Sequence, residues 1–495
     1  MYGRCVVRSA VLRGVEAIPV DVEVAVTSGT VGFFVVGMVD AAVQEARERV
    51  RAALKVAGFS MPARRILVNL APSALRKTGS GFDLAIAMGV LVATGQIDRE
   101  LVRDALVVGE LSLDGGVRPV AGLLAYALCA RDIGLALVCS HEADGLVPVE
   151  DLRMRGLRCI GDLREPVFAP VEMHPPIEEG DGPDFCEVSG NEVAKRALQI
   201  AAAGSHGLLM MGPPGSGKTM LASRVPSIMP PLESDEMLEV ALVHSVAGES
   251  IAPVLAGRRP FRSPHHSASS AGLIGGGSPV RPGEVCLAHQ GVLFLDELPE
   301  FKPSVLQQIR QPLEDGRVRI SRADGTVCFP SRFMLVAAAN PCPCGFYGDP
   351  EKQCTCSAKQ VRDYQNRIGG PLLDRIDLHI DVRRVPPGYV LSVQGGTSSS
   401  TLREGVLAGR EYASWRKSQE QGGATSQQAI ASCRLSDDDA AFFEDMARSN
   451  HMSGRAIVRT ASVARTIADM AQSRAVTREN LCEALGFRIR DGVGG

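Results

Sequence analysis

The chain has 495 residues, 45% apolar and 22% charged, ordinary proportions for folded domains that exclude wholesale disorder or a collagen-like chain. Lysine and arginine total 53 against 56 acids, a net charge of −3, so any contact with nucleic acid must come from local patches rather than a global basic field. The longest apolar stretch, 84–93, falls well short of the about 20 residues a membrane span needs, the start carries no secretory pattern, and 13 cysteines, most standing alone, point to free thiols in a reducing, cytoplasmic compartment.

At about 150 residues per domain, the length suggests about three domains. Two composition shifts cut it, a Pro-, acid- and Gly-rich linker at 168–184 and a Gly-, Ser- and Thr-rich one at 386–400. In the first piece, 1–167, the β-rich runs 19–26, 65–70 and 135–139 mix with helical patterns at 39–57, 81–93 and 122–131, predicting an α/β fold. Arg47, Arg49, Arg51 and Lys55 form a basic stretch that Glu45 and Glu48 dilute, which reads as a solvated helix face. The middle piece, 185–385, alternates apolar strands with helices, as a parallel sheet requires. The last, 401–495, is helical: 435–448 follows a Ser-Asp cluster suited to an N-cap, 455–471 carries an apolar stripe, and 477–486 is a short final helix.

The strongest signal is Gly212-Pro213-Pro214-Gly215-Ser216-Gly217-Lys218-Thr219, which fits G-x-x-x-x-G-K-[ST] at every position. A buried strand is predicted before it at 207–211 and a helix after it at 220–225. The glycines let backbone N–H groups turn around phosphate oxygens, and the helix N-terminus adds partial positive charge. Lys218 is placed to reach the β- and γ-phosphates of ATP, and the Thr219 hydroxyl to ligate Mg²⁺. Further along, 291–297 is an apolar strand ending in Asp296, a second Mg²⁺ ligand, and Glu297, able to polarise an attacking water. A third strand, 333–339, ends at Asn340, whose amide can orient that water. Residues 370–377 present Arg375 among acids, as an ordinary salt-bridge residue or as a charge stabiliser for a neighbouring subunit's nucleotide.

In this order the four elements resemble an AAA+ ATPase. The segments FRSPHHSASSAGLIGGGSPVRPGEVCLAHQGVLFLDELPEF (261–301), VAAANPCPCGFYGD (336–349) and ARTIADM (464–470) resemble, more narrowly, the magnesium-chelatase-like family and within it the ComM/YifB subfamily. The resemblance spans nearly the whole chain. It implies a ring, usually a homo-hexamer, with ATP at subunit interfaces and a nucleotide set of Lys218, Thr219, Asp296, Glu297 and Asn340. It also implies Arg375 as an arginine finger and Arg465 as the sensor-2 arginine of a helical lid, acting in cis or in trans. Residues 184–198 resemble the segment that cradles adenine. The implied activity is that of a DNA helicase promoting branch migration in homologous recombination during natural transformation. Its partners would be single-stranded or branched DNA and recombination proteins. The alternative is a protein-remodelling ATPase of the magnesium-chelatase type, built on the same core.

Residues 314–331 read as a β-hairpin with an Asp324-Gly325 turn, where helicases of this clade carry a pore hairpin. Arg317, Arg319 and Arg322 are expected to share one strand face or its rim, either contacting phosphates or forming a solvated face. The segment 263–282, with His265, His266 and Gly275-Gly276-Gly277, reads as a loop near the pore. Cys342, Cys344, Cys354 and Cys356 suit a closed tetrahedral Zn²⁺ site. Their C-x-C spacing is less usual than C-x₂-C, which leaves free thiols or a redox-labile pair open. Residues 1–167 resemble the proteolytic domain of Lon, with its ribosomal-protein-S5-like fold. Phe82 and Arg118 stand where Lon has its serine and lysine. An arginine stays charged and cannot replace a lysine base, so the resemblance implies a domain without the protease dyad.

Overall fold

The computed structural model describes residues 3–143, 146–173, 182–322, 325–386, 388, 396–419 and 426–488. The middle of the first linker and most of the second lie outside the described residues. Strands β1 (Arg4–Arg13) and β2 (Glu16–Thr27) form a long antiparallel hairpin, paired from Arg4 with Ala25 to Arg13 with Glu16. Val7, Val20, Val22 and Val24 are buried, while Arg8 and Glu23 beside them are exposed, the period of two that a half-buried strand shows. With β3 (Gly32–Val36), β4 (Arg65–Ala71), β5 (Ala105–Val107), β6 (Ala136–Ser140) and β7 (Met154–Leu157), they make a mixed sheet in the order β3-β4-β2-β1-β5-β6-β7.

The helices Ala41–Val56 and Asp83–Ala93 pack on this sheet. The second is buried at every position but Val92. Its first residue, Asp83, is fully buried and is gripped by the Arg49 guanidinium, Nε at 2.6 Å and Nη2 at 3.0 Å. The basic stretch is therefore not wholly a solvated face: Arg47, Arg51 and Lys55 are exposed, but Arg49 turns inward.

The nucleotide-motif region contains β8 (Leu208–Met211), β9 (Phe261–Arg262), β10 (Val292–Leu295), the hairpin strands β11 (Arg317–Arg322) and β12 (Gly325–Pro330), then β13 (Met334–Ala339) and β14 (Leu378–Asp381). Five of these form a sheet in the order β9-β10-β13-β8-β14, with every neighbouring pair parallel. β8, β10 and β13 are buried at every residue, because helices cover both faces. Leu208, Met210, Phe294 and Val336 face one core with Ala197, Leu198 and Ile467. Leu209, Met211, Leu293 and Ala337 face the other with Leu273, Phe301 and Ile309.

The two sheet regions are joined through a common core. Leu124 and Tyr126, of helix Leu123–Asp132, share it with Leu232 and Val240. The Gly122 N–H donates to Ser245 O at 2.8 Å.

The helices Ser399–Gln419, Asp437–Ser449, Gly454–Met470 and Arg478–Gly486 follow. Ser436, Ser453 and Thr477 cap the last three, their hydroxyls accepting from the third residue on. Arg416 grips Asp469 with bonds of 3.0 and 2.9 Å, tying the first of these helices to the third. No helix among the described residues is long and apolar enough to cross a membrane.

Arg49→Met would leave Asp83 buried without its counter-charge. The expected loss is about 3 kcal/mol of unfolding free energy in urea at neutral pH, the low end for a broken buried pair because Arg49 is partly exposed. Arg49→Met/Asp83→Leu should recover part of it.

Candidate nucleotide site

In a parallel sheet the C-terminal ends of all strands open on one edge, where ligands bind in such folds. β8 runs into residues 212–217 and then the helix Lys218–Ser223. Gly215 and Gly217 have φ of 77° and 89°, the left-handed region that favours glycine, and open space lies where their Cβ atoms would be. Lys218 curls back into the loop: Nζ donates to Gly212 O at 2.8 Å, Pro213 O at 3.0 Å and Asn340 Oδ1 at 3.3 Å. Burial pulls its ammonium below the usual lysine range, against the charges of Asp296 and Glu297.

Thr219 Oγ1 donates to Asp296 Oδ2 at 2.7 Å, and the Glu297 N–H donates to Asp296 Oδ1 at 2.9 Å. Adjacent hard oxygen donors of this kind suit Mg²⁺. Glu297 has φ of 50°, a strained backbone for a non-glycine residue and a common mark of functional positions. Its carboxylate is half exposed, with Oε2 3.4 Å from His266 Nδ1. The five residues predicted to serve the nucleotide thus meet at one place.

His266 was not among them. β9 lies beside β10, so the chain leaving β9 passes Glu297. The adjacent His265–His266 pair was a visible signal, but only the strand order gives it a neighbour. His265 lies against His266, the ring centroids 4.0 Å apart and the planes tilted by 35°.

Arg375 lies elsewhere. It precedes β14, whereas the phosphate loop follows β8, and the two strands run parallel from Leu208 beside Leu378 to Met211 beside Asp381. Four strand residues at about 3.3 Å each separate the two ends by about 13 Å. The Arg375 guanidinium is 2.5 Å from Glu314 Oε1 and 8% exposed. Arg465 is also buried. It donates to Ser432 O at 3.3 Å and Arg474 O at 3.0 Å, bonds Ser473 O, and pairs with Asp469 at 3.2 Å. Those contacts bind the helix Gly454–Met470 to flanking turns and do not bring the guanidinium to the phosphate loop. The exposed arginine of that helix's first turn is Arg455.

A hairpin forms, with Arg317 opposite Pro330 and Arg322 opposite Gly325, but Glu314 and Asp315 end the preceding helix and Gly325 is a strand residue, not the second residue of the expected Asp324-Gly325 turn; Asp324 lies outside the described residues. Arg317 and Arg319 share an exposed face, while Val318 is buried and Ile320 half-buried on the other. Arg322 falls on the second face by strand parity, its guanidinium near Gly276. The three arginines therefore do not share a face.

The four cysteines do converge. Cys342 Sγ lies 3.4 Å from Cys344 Sγ and 3.7 Å from Cys354 Sγ, Cys344 and Cys354 are 3.5 Å apart, and all four sulfurs sit within 4.8 Å of one another. A tetrahedron with metal–sulfur bonds of about 2.3 Å has edges of about 3.8 Å, so the spacing fits such an ion, while a disulfide needs about 2.05 Å.

In the first sheet region, Phe82 is buried at the start of helix Asp83–Ala93, and Arg118 is exposed in a short ribbon opposite Glu110. Ser80 Oγ donates to Glu110, and the buried Lys77 ammonium to Pro72 O.

Comparison with known proteins places this geometry. Residues 184–389 match the family described as magnesium chelatase, subunit ChlI, residues 22–143 the family described as subunit ChlI of Mg-chelatase, and residues 396–488 the C-terminal part of ChlI. The chain is 39% identical to the uncharacterized protein YifB of Escherichia coli, over 98% of this chain and 97% of that protein. It is 40% identical to the competence protein ComM of Haemophilus influenzae, over 98% and 97%, and 40% identical to an uncharacterized protein of Mycobacterium tuberculosis, over 97% of each. The chain belongs to the magnesium-chelatase-like ComM/YifB family. This family is AAA+ in type, so the site is that of an ATPase using ATP and Mg²⁺.

As a buried staple, Arg465 should matter for stability. Arg465→Ala is expected to cost about 2–3 kcal/mol, from carbonyls left without a donor, read as a lowered thermal midpoint without nucleotide. An unchanged midpoint with lost turnover would make it a nucleotide residue instead.

Proposed function

We propose that this chain is an ATP-driven motor that assembles as a homo-hexameric ring and moves single-stranded or branched DNA, promoting branch migration in homologous recombination during natural transformation. The observation that carries the ring is the split of the site across the sheet. Lys218, Thr219, Asp296, Glu297 and Asn340 gather at one edge, while Arg375 stands at the opposite edge, out of reach of its own chain's nucleotide. Only a neighbouring copy can bring that arginine to a γ-phosphate. The name of the Haemophilus relative supports a role in competence.

The loop 212–217 would receive the phosphates on its N–H groups, with Lys218 on the β- and γ-phosphates. Thr219 and Asp296 would hold Mg²⁺, which would supply positive charge against the phosphates. Glu297 would take a proton from the attacking water while the Asn340 amide orients it. Glu314, the present partner of Arg375, would release it when subunits close. Arg317 and Arg319, on the exposed hairpin face, would contact DNA phosphates, giving salt-dependent and largely sequence-independent affinity. A structural Zn²⁺ in Cys342, Cys344, Cys354 and Cys356 completes this reading. The first sheet region resembles Lon in our reading but serves as scaffold, since its dyad positions hold Phe82 and Arg118.

Lys218→Ala should lose ATP turnover together with nucleotide binding. Glu297→Gln should keep binding and lose about 10²–10⁴-fold in turnover, and Arg375→Ala about 10³–10⁵-fold, restored in part when it is mixed with Lys218→Ala subunits. Hydrolysis followed with and without forked DNA, together with strand displacement, tests the motor. Hydrolysis indifferent to DNA, with no displacement by assembled rings, would favour protein remodelling.

Arg319→Ala should weaken forked-DNA binding and reduce the slope of log affinity against log salt by about 0.9. An unchanged slope would remove the hairpin from the DNA path.

A further inference from the structure

The four-cysteine segment touches the phosphate loop. Between Cys342 and Cys356 the chain forms no helix or strand, and only Cys342 and Gly345 are buried. So little apolar burial cannot hold such a segment in one shape without a staple. Yet its contacts are specific. Gly345, at φ of 84°, presses on the phosphate loop so closely that a Cβ would stand 2.5 Å from Pro214 Cδ.

Arg384 spans the same junction. Its Nη2 is 3.5 Å from Pro214 O, its Nη1 is 3.8 Å from Asp349 Oδ2, and its guanidinium covers the Phe346 ring at 5.2 Å. The Asp349 side chain is almost fully buried, though the residue as a whole is not, and it shapes the turn between the two cysteine pairs, its Oδ1 accepting from the N–H groups of Glu351 at 2.8 Å and Lys352 at 3.2 Å. At the other end, Cys342 follows Asn340 by two residues, and Asn340 Oδ1 accepts from Lys218 Nζ. The segment therefore reaches the nucleotide site through three connections: Gly345 on Pro214, Arg384 on Pro214, and Asn340 on Lys218.

We propose that the zinc-loaded knuckle is a brace for the phosphate loop, so that the metal state of these four cysteines sets the affinity of the site for ATP. The proposal rests on the zinc reading above and adds a function to it. A Zn²⁺ ion that gathers the sulfurs fixes Gly345 against Pro214 and Asp349 against Arg384, and holds the loop in the arc that receives phosphate. Removing the ion frees the segment, and the binding site must then be ordered at the expense of binding energy. A closed four-sulfur site leaves no position for a reacting group, so the ion acts on the ATPase only through the protein.

The test uses full-length protein purified under reducing conditions. Elemental mass spectrometry and Co²⁺ substitution report the site, and a fluorescent ATP analogue reports affinity without turnover. One zinc per chain, a thiolate-to-cobalt charge-transfer band, and affinity about tenfold weaker after metal removal and restored by added Zn²⁺ are expected. Because metal-free protein can unfold, two variants keep the metal and break the contact. Gly345→Val and Arg384→Gln should retain one zinc each yet bind the analogue more weakly, while Tyr347→Ala, on the exposed side of the knuckle, should change neither. Absence of zinc and of the cobalt band overturns the metal reading and the brace with it. Zinc present, with wild-type affinity in metal-free protein and both contact variants, overturns the brace alone.

Discussion

The direction of five parallel strands governs the rest of this structure. Because β8, β10 and β13 run the same way between two apolar cores, whatever follows them in sequence arrives at the same edge. The loop 212–217, the Asp296–Glu297 pair and Asn340 come from separate parts of the chain and need no special loops to meet. The same rule puts whatever precedes a strand at the other edge, which is why Arg375 is remote from Lys218 although its strand is hydrogen-bonded to β8. If a neighbouring copy supplies Arg375, as proposed above, catalysis would be a property of contact between copies.

The first sheet region is bound to this core at two places. Helix Leu123–Asp132 shares apolar burial with the helix Ser234–Ala247. At the β1–β2 turn, Gly14 packs against Val327 and Cys328 of the arginine hairpin, and the Arg13 guanidinium lies against Gly325 at its tip. A displacement of the hairpin would therefore be felt by the β1–β2 ribbon, whose long antiparallel register resists bending. These contacts seat the hairpin against the β1–β2 turn. The buried Arg49–Asp83 pair beside the Phe82 position fits a domain kept for its shape.

Much of this was legible in the sequence because the signals are periodic or spaced. Continuous apolar runs marked the parallel strands, Ser and Thr caps marked the final helices, and the glycine pattern marked the phosphate loop. What escaped notice depends on long-range neighbours. β1 was missed because Arg8 and Ser9 interrupt its apolar residues, and it becomes a strand through the partner β2 supplies. Arg49 looked solvated because its partner Asp83 lies on another helix. His266 gained Glu297 as a neighbour only from the β9–β10 adjacency, whereas the face of Arg322 was legible and misread, since it stands three positions, an odd offset, from Arg319. The helix Ser399–Gln419 follows a stretch whose Gly, Ser and Thr content hid its start.

Arginine chemistry is the place where sequence and structure differ most, and the difference has one cause. A guanidinium carries five donors on a long stem and can serve a buried network or a ligand equally well, so only its surroundings decide. Arg262 is forked between Glu249 and Glu284. Arg416 and Arg465 share Asp469, and Arg459 holds Asp377 at 2.5 Å. Burial would raise the Asp377 carboxyl, but His206 and Arg459 hold it down at about 2, so this clasp between the helix Gly454–Met470 and the sheet persists down to strongly acidic pH. With those arginines engaged in structure, Arg317 and Arg319 differ from them in being exposed on a strand whose opposite side is anchored in the core. A net charge of −3 leaves the local charge of the hairpin in place, because Arg317 and Arg319 face outward.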